Sequence, residues 1–336
     1  MALSPLVGDL SRNLLLRQAN NATKSELTTR MQEVTTGIRS DIPLGLGGDT
    51  RGLGHVESRL ATLTAYDRAG TDLDRQARGM QFALEGVQDK VRLLGADMLL
   101  IGTSPSATSV AAGLTQARAH LDEVVAKLNT NVAGRFLFSG TETTTPPLAS
   151  TAVLLADLQG FIGSPATAAD LIAGVTAFFD APPGAGGYVD TYGGDDNTIT
   201  VAIAPGMTAG IDDNATAPAI RETLKGLTLL ALAAEPPWDG NLPAQAEIMA
   251  AAGGSLIAAD TGLALLRGDI GMTEGAVARA QTRNNAERTA LNIERNDLTT
   301  VDPYEAISAA TEAQTRLEAI YSMTARLSRL SLASYL

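Results

Sequence analysis

The chain has 336 residues, enough for two or three domains, and no cysteine, which excludes disulfides, thiol catalysis and thiolate metal sites. Aromatics are only 4% of it, so Ala, Leu, Thr and Gly must fill the interior, a composition suited to thin helical layers. Residues 141–260 hold 14 acidic residues and two basic ones, Arg221 and Lys225, and so carry the whole net charge of −12; the remainder balances 23 against 23. No basic face is left to neutralise phosphates, which argues against nucleic acid as a partner.

In chain order, the stretch Met1–Leu10 lacks a basic region, a long apolar core and a cleavage site, so no cleaved signal peptide is expected. Ser4-Pro5 opens a helix carrying Leu10, Leu14, Leu27, Met31, Val34 and Ile38. Its apolar face shifts between Leu14 and Leu27, so this helix should meet more than one neighbour. Gly45–Gly54 is rich in glycine but has no Lys-Ser/Thr, and reads as a turn rather than a phosphate loop. From Leu53 through Leu63, Leu73, Met80, Val87, Leu94 and Ile101, apolar or small residues recur in steps of three and four, a seam close to a heptad repeat. A single helix over that stretch is about 70 Å long at roughly 1.5 Å per residue, an element of rods rather than compact enzymes.

A second helix is predicted from a Ser104-Pro105 start, with Val110, Leu114, Ala117, Leu121, Val124 and Leu128 on one face. The short turn before it should fold the two helices into an antiparallel hairpin. Between 141 and 240 the pattern changes to Pro- and Gly-punctuated segments. There Asn197–Ala204 alternates as a strand, which pairs in this reading with Tyr188–Tyr192 across Gly193–Asp196; helices are expected at Ala168–Phe179 and Ala219–Ala233. A matching C-terminal stripe runs through Ile248, Leu256, Leu263, Ile270, Val277 and Leu291. Asn284, Glu287 and Glu294 interrupt it, either as polar seam positions that set register or as a solvated stretch. Asp302-Pro303-Tyr304-Glu305 then starts the last helix, lined by Ala306, Ala310, Ala313, Leu317, Ile320, Leu327 and Leu330.

The expected fold is mainly α: an elongated antiparallel helical rod or coiled coil with a small α+β insert. Residues 1–38 and 300–336 form the terminal helices, 39–145 and 240–299 the helical rod, and 146–239 the acidic insert. A search for chemistry finds no catalytic, cofactor-binding or metal-ligating constellation. His55 and His120 stand apart without ligand spacing, and Asp195-Asp196-Asn197 and Asp212-Asp213-Asn214 read as turns, lacking the alternating ligands of a calcium loop. No uncharged apolar run of about 18 residues exists, so no membrane partner is expected.

The terminal helices are the informative feature. Each carries an apolar stripe, and within one chain at most one stripe can cover the other. Ordering them costs roughly 1–2 kcal/mol per residue in backbone entropy. An Ala-rich pair offsets little of that, so the ends should be disordered in an isolated monomer and order when further copies surround them. A long-armed intramolecular bundle is the alternative.

Two segments resemble the flagellin superfamily, and within it the hook-associated proteins of the hook–filament junction: Asn129-Thr-Asn-Val-Ala-Gly-Arg-Phe-Leu-Phe-Ser-Gly-Thr141 with Thr144-Thr-Pro-Pro147, and the ending Gln314–Leu332. The first run is characteristic of junction proteins; the helical ends are shared with filament flagellins. The resemblance spans 1–145 and 240–336. It departs from the family at Thr36-Gly37-Ile38-Arg39, which is not followed by the usual Asp-Asp-Pro or Asp-Asp-Ala turn.

The resemblance implies a non-enzymatic structural subunit of the extracellular bacterial flagellum, joining hook to filament through self-association of its ends. The implied partners are further copies, the other hook-associated junction protein, flagellin and a flagellar export chaperone, with export by the type III route and no cofactor. The expected assembly interface is Leu10, Leu14, Leu27, Met31, Val34, Leu317, Ile320, Tyr321, Leu327 and Leu330; the chaperone would hold Leu317, Ile320, Leu327 and Leu330. Rival readings are a filament flagellin, or a secreted glycan-binding or enzymatic protein acting through the acidic insert.

Overall fold

A computed structural model describes the backbone of residues 4–333 and the side chains of residues 14–326. In chain order the elements are α1 (Ser4–Thr36), α2 (Ile42–Gly45), α3 (Arg51–Thr103), α4 (Ala107–Leu114), α5 (Ala117–Leu128), β1 (Asn131–Val132), β2 (Arg135–Phe136), α6 (Thr151–Ile162), α7 (Ala168–Asp180), α8 (Tyr188–Thr191), β3 (Thr200–Ala204), β4 (Met207–Gly210), α9 (Pro218–Ala233), α10 (Leu242–Thr299) and α11 (Pro303–Ala333). The fold is mainly α, with two small antiparallel hairpins. It divides into two compact units, Thr64–Asn284 and Met1–Leu63 with Asn285–Leu336.

In the Thr64–Asn284 unit the α3 stripe is the floor of the core. Leu73, Ala77, Met80, Leu84, Val87, Val91 and Met98 are buried, with Leu94 and Ile101 half-buried. Against it, α10 runs antiparallel: Gly95 meets Leu256 and Ile257, and Gly102 meets Ala250 seven residues back. A Cβ at Gly102 would lie 2.5 Å from the Ala250 backbone nitrogen, so here the helix backbones themselves are in contact. Part of α10 has the length and composition of a membrane span, but it buries Ile248, Met249, Ala252, Leu256 and Ala259 in this core. A core helix and a span share that composition because both face an apolar medium.

The face read for the second helix is buried from Val110 to Leu128, but two of its details change. The start is Ser106, not Ser104, because Ser106 and Ser109 cap reciprocally, each side chain bonding the other's backbone N–H at 3.1 Å. The helix also breaks between Leu114 and Ala117, giving α4 and α5.

The acidic segment shares its interior with the long helices. Phe138, Leu158, Phe178, Phe179, Ile220 and Leu227 join Leu84, Leu121 and Leu256 in one apolar cluster. Phe161, Phe178, Phe179 and Tyr188 form a chain of edge-to-face and tilted rings with centroids 5.2–5.5 Å apart. The expected helices at 168–179 and 219–233 are α7 and α9. The strand at 197–204 is β3, but its partner is β4 on its C-terminal side, through Pro205 and a positive-φ Gly206. The expected partner at Tyr188–Tyr192 instead forms the short α8, because buried Tyr188 packs on Phe179 and donates to the Ala215 carbonyl at 2.8 Å. Pro205-Gly206 makes a tighter turn than Gly193–Asp196 and leaves the earlier segment free for the core.

Of the three polar interruptions in α10, Asn284 is buried and donates to the Ile203 carbonyl at 2.7 Å, fixing the β3–β4 hairpin on the helix. In the other unit Glu287 pairs bidentately with Arg59 at 2.5 and 3.1 Å, and Glu294 is exposed. One seam position, one ion pair and one solvated residue thus divide what the sequence left as a choice.

Candidate assembly surface

The joint of the terminal helices is built from backbone. Gly37, at φ +70°, ends α1, and its carbonyl accepts from Val301 N–H at 3.0 Å, while Arg39 N–H donates to Thr299 O at 3.0 Å. The isolated bridge Ile38–Thr300 lies between these bonds. Arg39 also donates to Thr300 O at 3.1 Å and to Gly45 O at 2.7 Å, holding α2, which Asp41 caps through Leu44 N–H at 2.9 Å. Glu33 is buried and accepts from Ser40 N–H and from the Arg30 guanidinium, both at 2.9 Å. Burial pushes its carboxyl up, but the bonds from Ser40 and Arg30 outweigh this and hold it below the ordinary glutamate value. The joint that departs from the family pattern in sequence is therefore fixed by Arg39 and Glu33.

Helix α11 starts on Asp302, whose carboxylate accepts from the N–H groups of Tyr304 at 2.7 Å and Glu305 at 3.2 Å. It packs antiparallel on α1, with Arg316 3.5 Å from Glu26 and the Lys24 ammonium 5.8 Å from the Tyr321 ring centroid. Among the described side chains, those this pair buries are small or polar: Thr23 and Glu33 from α1, and Ala306, Ala310 and Ala313 from α11. A methyl contributes less than about 1 kcal/mol on burial, so the seam itself is weak.

The larger apolar side chains lie elsewhere. Of the expected interface, Leu27, Leu317 and Ile320 are half-buried. Leu14 is 58% exposed, Met31 50%, and Val34 and Tyr321 are also exposed. The side chains of Leu10, Leu327 and Leu330 lie outside the described residues. Leu27, Met31 and Val34 step by four and three along one row of α1, whereas Ile38, expected on the same helix, lies past its end at positive-φ Gly37, in the bridge to Thr300. Leu14 precedes Leu27 by 13 residues, which at about 100° per residue places it roughly 140° around the helix. Sequence reading missed Leu15, Tyr304, Ile307 and Met323, all exposed. They sit off the regular stripe, and only a search for a second apolar face on the same helix would have found them.

Residues 255–336 match the family model of the bacterial flagellin C-terminal helical region, which takes in much of α10 and the whole of α11. Over those residues the chain is similar to flagellin. Its fold is that of the crystal structure of Bacillus cereus FlgL, which covers 72% of this chain and 100% of its own at a TM-score of 0.51 and 15% identity. A Vibrio parahaemolyticus protein assigned as flagellar hook-associated gives a TM-score of 0.46 at 14% identity, over 73% of this chain and 96% of its own. No curated protein matches the chain in sequence.

The Asn131–Thr141 run has a structural purpose within the Thr64–Asn284 unit. Ala133 and Gly134, at φ 53° and 82°, make the two-residue turn of the β1–β2 hairpin, the positive-φ pair that matches strand twist. Leu137 and Phe138 enter the core, and buried Ser139 donates to Thr145 O at 2.7 Å. Gly140, at φ +63°, leaves no room for a Cβ beside the Asp195 carbonyl. Thr141 donates its N–H to Asp195 Oδ1 at 2.6 Å and its hydroxyl to Oδ2. The Thr141 hydroxyl, the Asn197 amide and the Thr141 N–H hold the Asp195 carboxyl down at about 2. Asp196 accepts from Asn214 and Thr216, both at 3.0 Å. The two Asp-Asp-Asn turns are thereby linked to each other and to the motif. Among the described residues no group of three or more His, Cys, Asp or Glu is placed to hold a metal ion.

Proposed function

We propose that this chain is a structural subunit of the bacterial flagellum at the junction of hook and filament, assembling through α1 and α11. The observation that carries the reading is the division of the terminal pair. Among the described side chains its seam buries Thr23, Glu33 and three alanines, while Leu14, Leu15, Met31, Val34, Ile307 and Met323 remain exposed. An apolar surface of that extent on paired helices calls for partners. The similarity of residues 255–336 to the flagellin C-terminal helical region and the FlgL-like fold support placing those partners in a flagellum.

Further copies of the chain cover the terminal helices in this reading, with the second junction protein and flagellin on either side. The route out of the cell is flagellar export, with a chaperone on Leu317, Ile320, Leu327 and Leu330 until incorporation. Chaperone and neighbouring subunits then compete for one surface, which prevents early polymerisation. The role is structural and extracellular rather than catalytic.

Deletion of the gene tests the proposal. Hooks that remain on the cell while flagellin is secreted unattached are the expected result; filaments still joined to hooks would refute it. The family model matched at the C-terminus is that of flagellin itself, which favours filament flagellin as the second reading. Mass abundance of the chain along sheared filaments, rather than a trace at their base, would decide for it.

A further inference from the structure

Among the described residues three methionines are buried, three are exposed and Met207 is half-buried. Met80, Met98 and Met249 are 0%, 4% and 0% exposed in the core of the Thr64–Asn284 unit. Met31 and Met323 in the terminal pair are 50% and 59% exposed, and Met272 on α10 is 67% exposed. Met31 stands in the Leu27–Met31–Val34 row of α1, and Met323 follows Ile320 by three residues, one turn further along α11. Neither belongs to the polar contacts that join the two helices, which run through Arg316 to Glu26 and Lys24 to Tyr321.

We infer that Met31 and Met323 are oxidation sites that switch off assembly of the free subunit, the reagent being a two-electron oxidant of the peroxide class. The inference rests on the assembly reading above. A thioether sulfur lone pair attacks one peroxide oxygen; the O–O bond breaks, an S–O bond forms, and the second oxygen leaves as water. Sulfur is oxidised by two electrons and the peroxide is reduced. The product exchanges a flexible apolar group for a strong hydrogen-bond acceptor. Burying that acceptor against apolar neighbours leaves it unpartnered, whereas in the free subunit water satisfies it. The switch therefore acts on assembly and leaves the fold intact, because the core methionines are out of reach. Once a neighbouring subunit covers Met31 and Met323, the same reagent no longer reaches them.

The test uses the full-length chain and hydrogen peroxide, with peptide masses read for a gain of one oxygen at each methionine. In the free subunit Met31, Met272 and Met323 are expected to oxidise at least tenfold faster than Met80, Met98 and Met249. In isolated flagella Met31 and Met323 should slow by at least tenfold. Expressed in cells lacking the native copy, the sulfoxide mimic Met31→Gln/Met323→Gln should be made and secreted but enter flagella at no more than a tenth of the wild-type level. Incorporation of Met31→Leu/Met323→Leu, whatever its level before treatment, should not fall after peroxide treatment of the subunit. Equal oxidation of Met31 and Met323 in free and assembled protein, or normal incorporation of the Gln variant, would overturn the inference. A Leu14→Asp/Met31→Asp variant separates the two levels. If it is excluded while the Gln variant enters, only the switch fails; if it also enters, the assembly surface itself is wrong.

Discussion

The two units solve the same problem, packing long helices, with opposite materials. In Thr64–Asn284, Phe138, Phe178, Leu121, Met80 and Leu256 are each fully buried, and glycines at 95 and 102 let α3 and α10 close until backbones touch. Among the described side chains of the terminal pair, α1 and α11 close over three alanines, a threonine and a carboxylate, and leave Leu14, Leu15, Met31, Met323, Tyr304 and Tyr321 exposed. The difference teaches that burial within a chain and apolarity of a helix are separate quantities. The first unit builds its core from large apolar side chains, whereas the seam of the terminal pair is built from small and polar ones.

That contrast can be broken or sharpened by substitution. The largest effect is expected inside the core: Phe138→Ala should destabilise the Thr64–Asn284 unit by about 3–5 kcal/mol in denaturant unfolding, since a fully buried ring leaves a cavity. A loss below about 1 kcal/mol would mean that this core is as loose as the terminal seam. Next comes Gly102→Val, which forces side-chain atoms against the Ala250 backbone and should cost roughly 1–3 kcal/mol, read as a lower midpoint at unchanged slope.

Asp213 gives an effect of opposite sign. Burial, with Asp269 and Asp212 nearby, pushes its carboxyl up to about 6. The folded protein therefore binds this proton more tightly than the unfolded chain, whose aspartate titrates near 4. The stabilisation is present below about pH 4 and lost as the pH rises through about 6. Asp213→Asn should stabilise the protein at pH 7 by about 1 kcal/mol after discounting for solvent screening, and by nothing at pH 4. A pH-independent difference would assign the change to packing instead.

Smaller again, Ala133→Asn should gain about 0.5–1 kcal/mol, because Asn tolerates the positive φ that alanine adopts there. The smallest effect on stability is the most telling for function. Leu14→Asp changes an exposed side chain and should leave the monomer within about 0.5 kcal/mol of wild type while preventing incorporation into flagella. Normal incorporation would remove the basis for placing the assembly surface on α1.

Much of this was legible beforehand for a physical reason. A helix repeats every 3.6 residues, so the stripe from Leu53 to Ile101 and that from Ile248 to Ala280 announce both the helices and their buried faces. The cap at Asp302 is likewise local chemistry, whereas the end of α1 at Gly37, one residue before Ile38, was not read. The site was legible only in part. Leu14 and Met31 could be named, but whether Leu317 and Ile320 face α1 or the outside depends on how α11 is rotated in the pair. The β3 partner failed for a related reason: two turns of similar composition competed, and the buried Tyr188 decided between them from across the unit.

By itself, then, the sequence determined where the helices run, which face of each is apolar and where the negative charge collects, because these follow from residue spacing along one chain. Only the tertiary structure decided which apolar faces find a partner inside the chain. That α1 and α11 meet over Thr23, Ala306, Ala310 and Ala313, leaving Met31 and Met323 open, follows from the joint at Gly37, Arg39 and Thr300. Those bonds set the rotation of one helix against the other, and no periodicity in the sequence encodes a rotation.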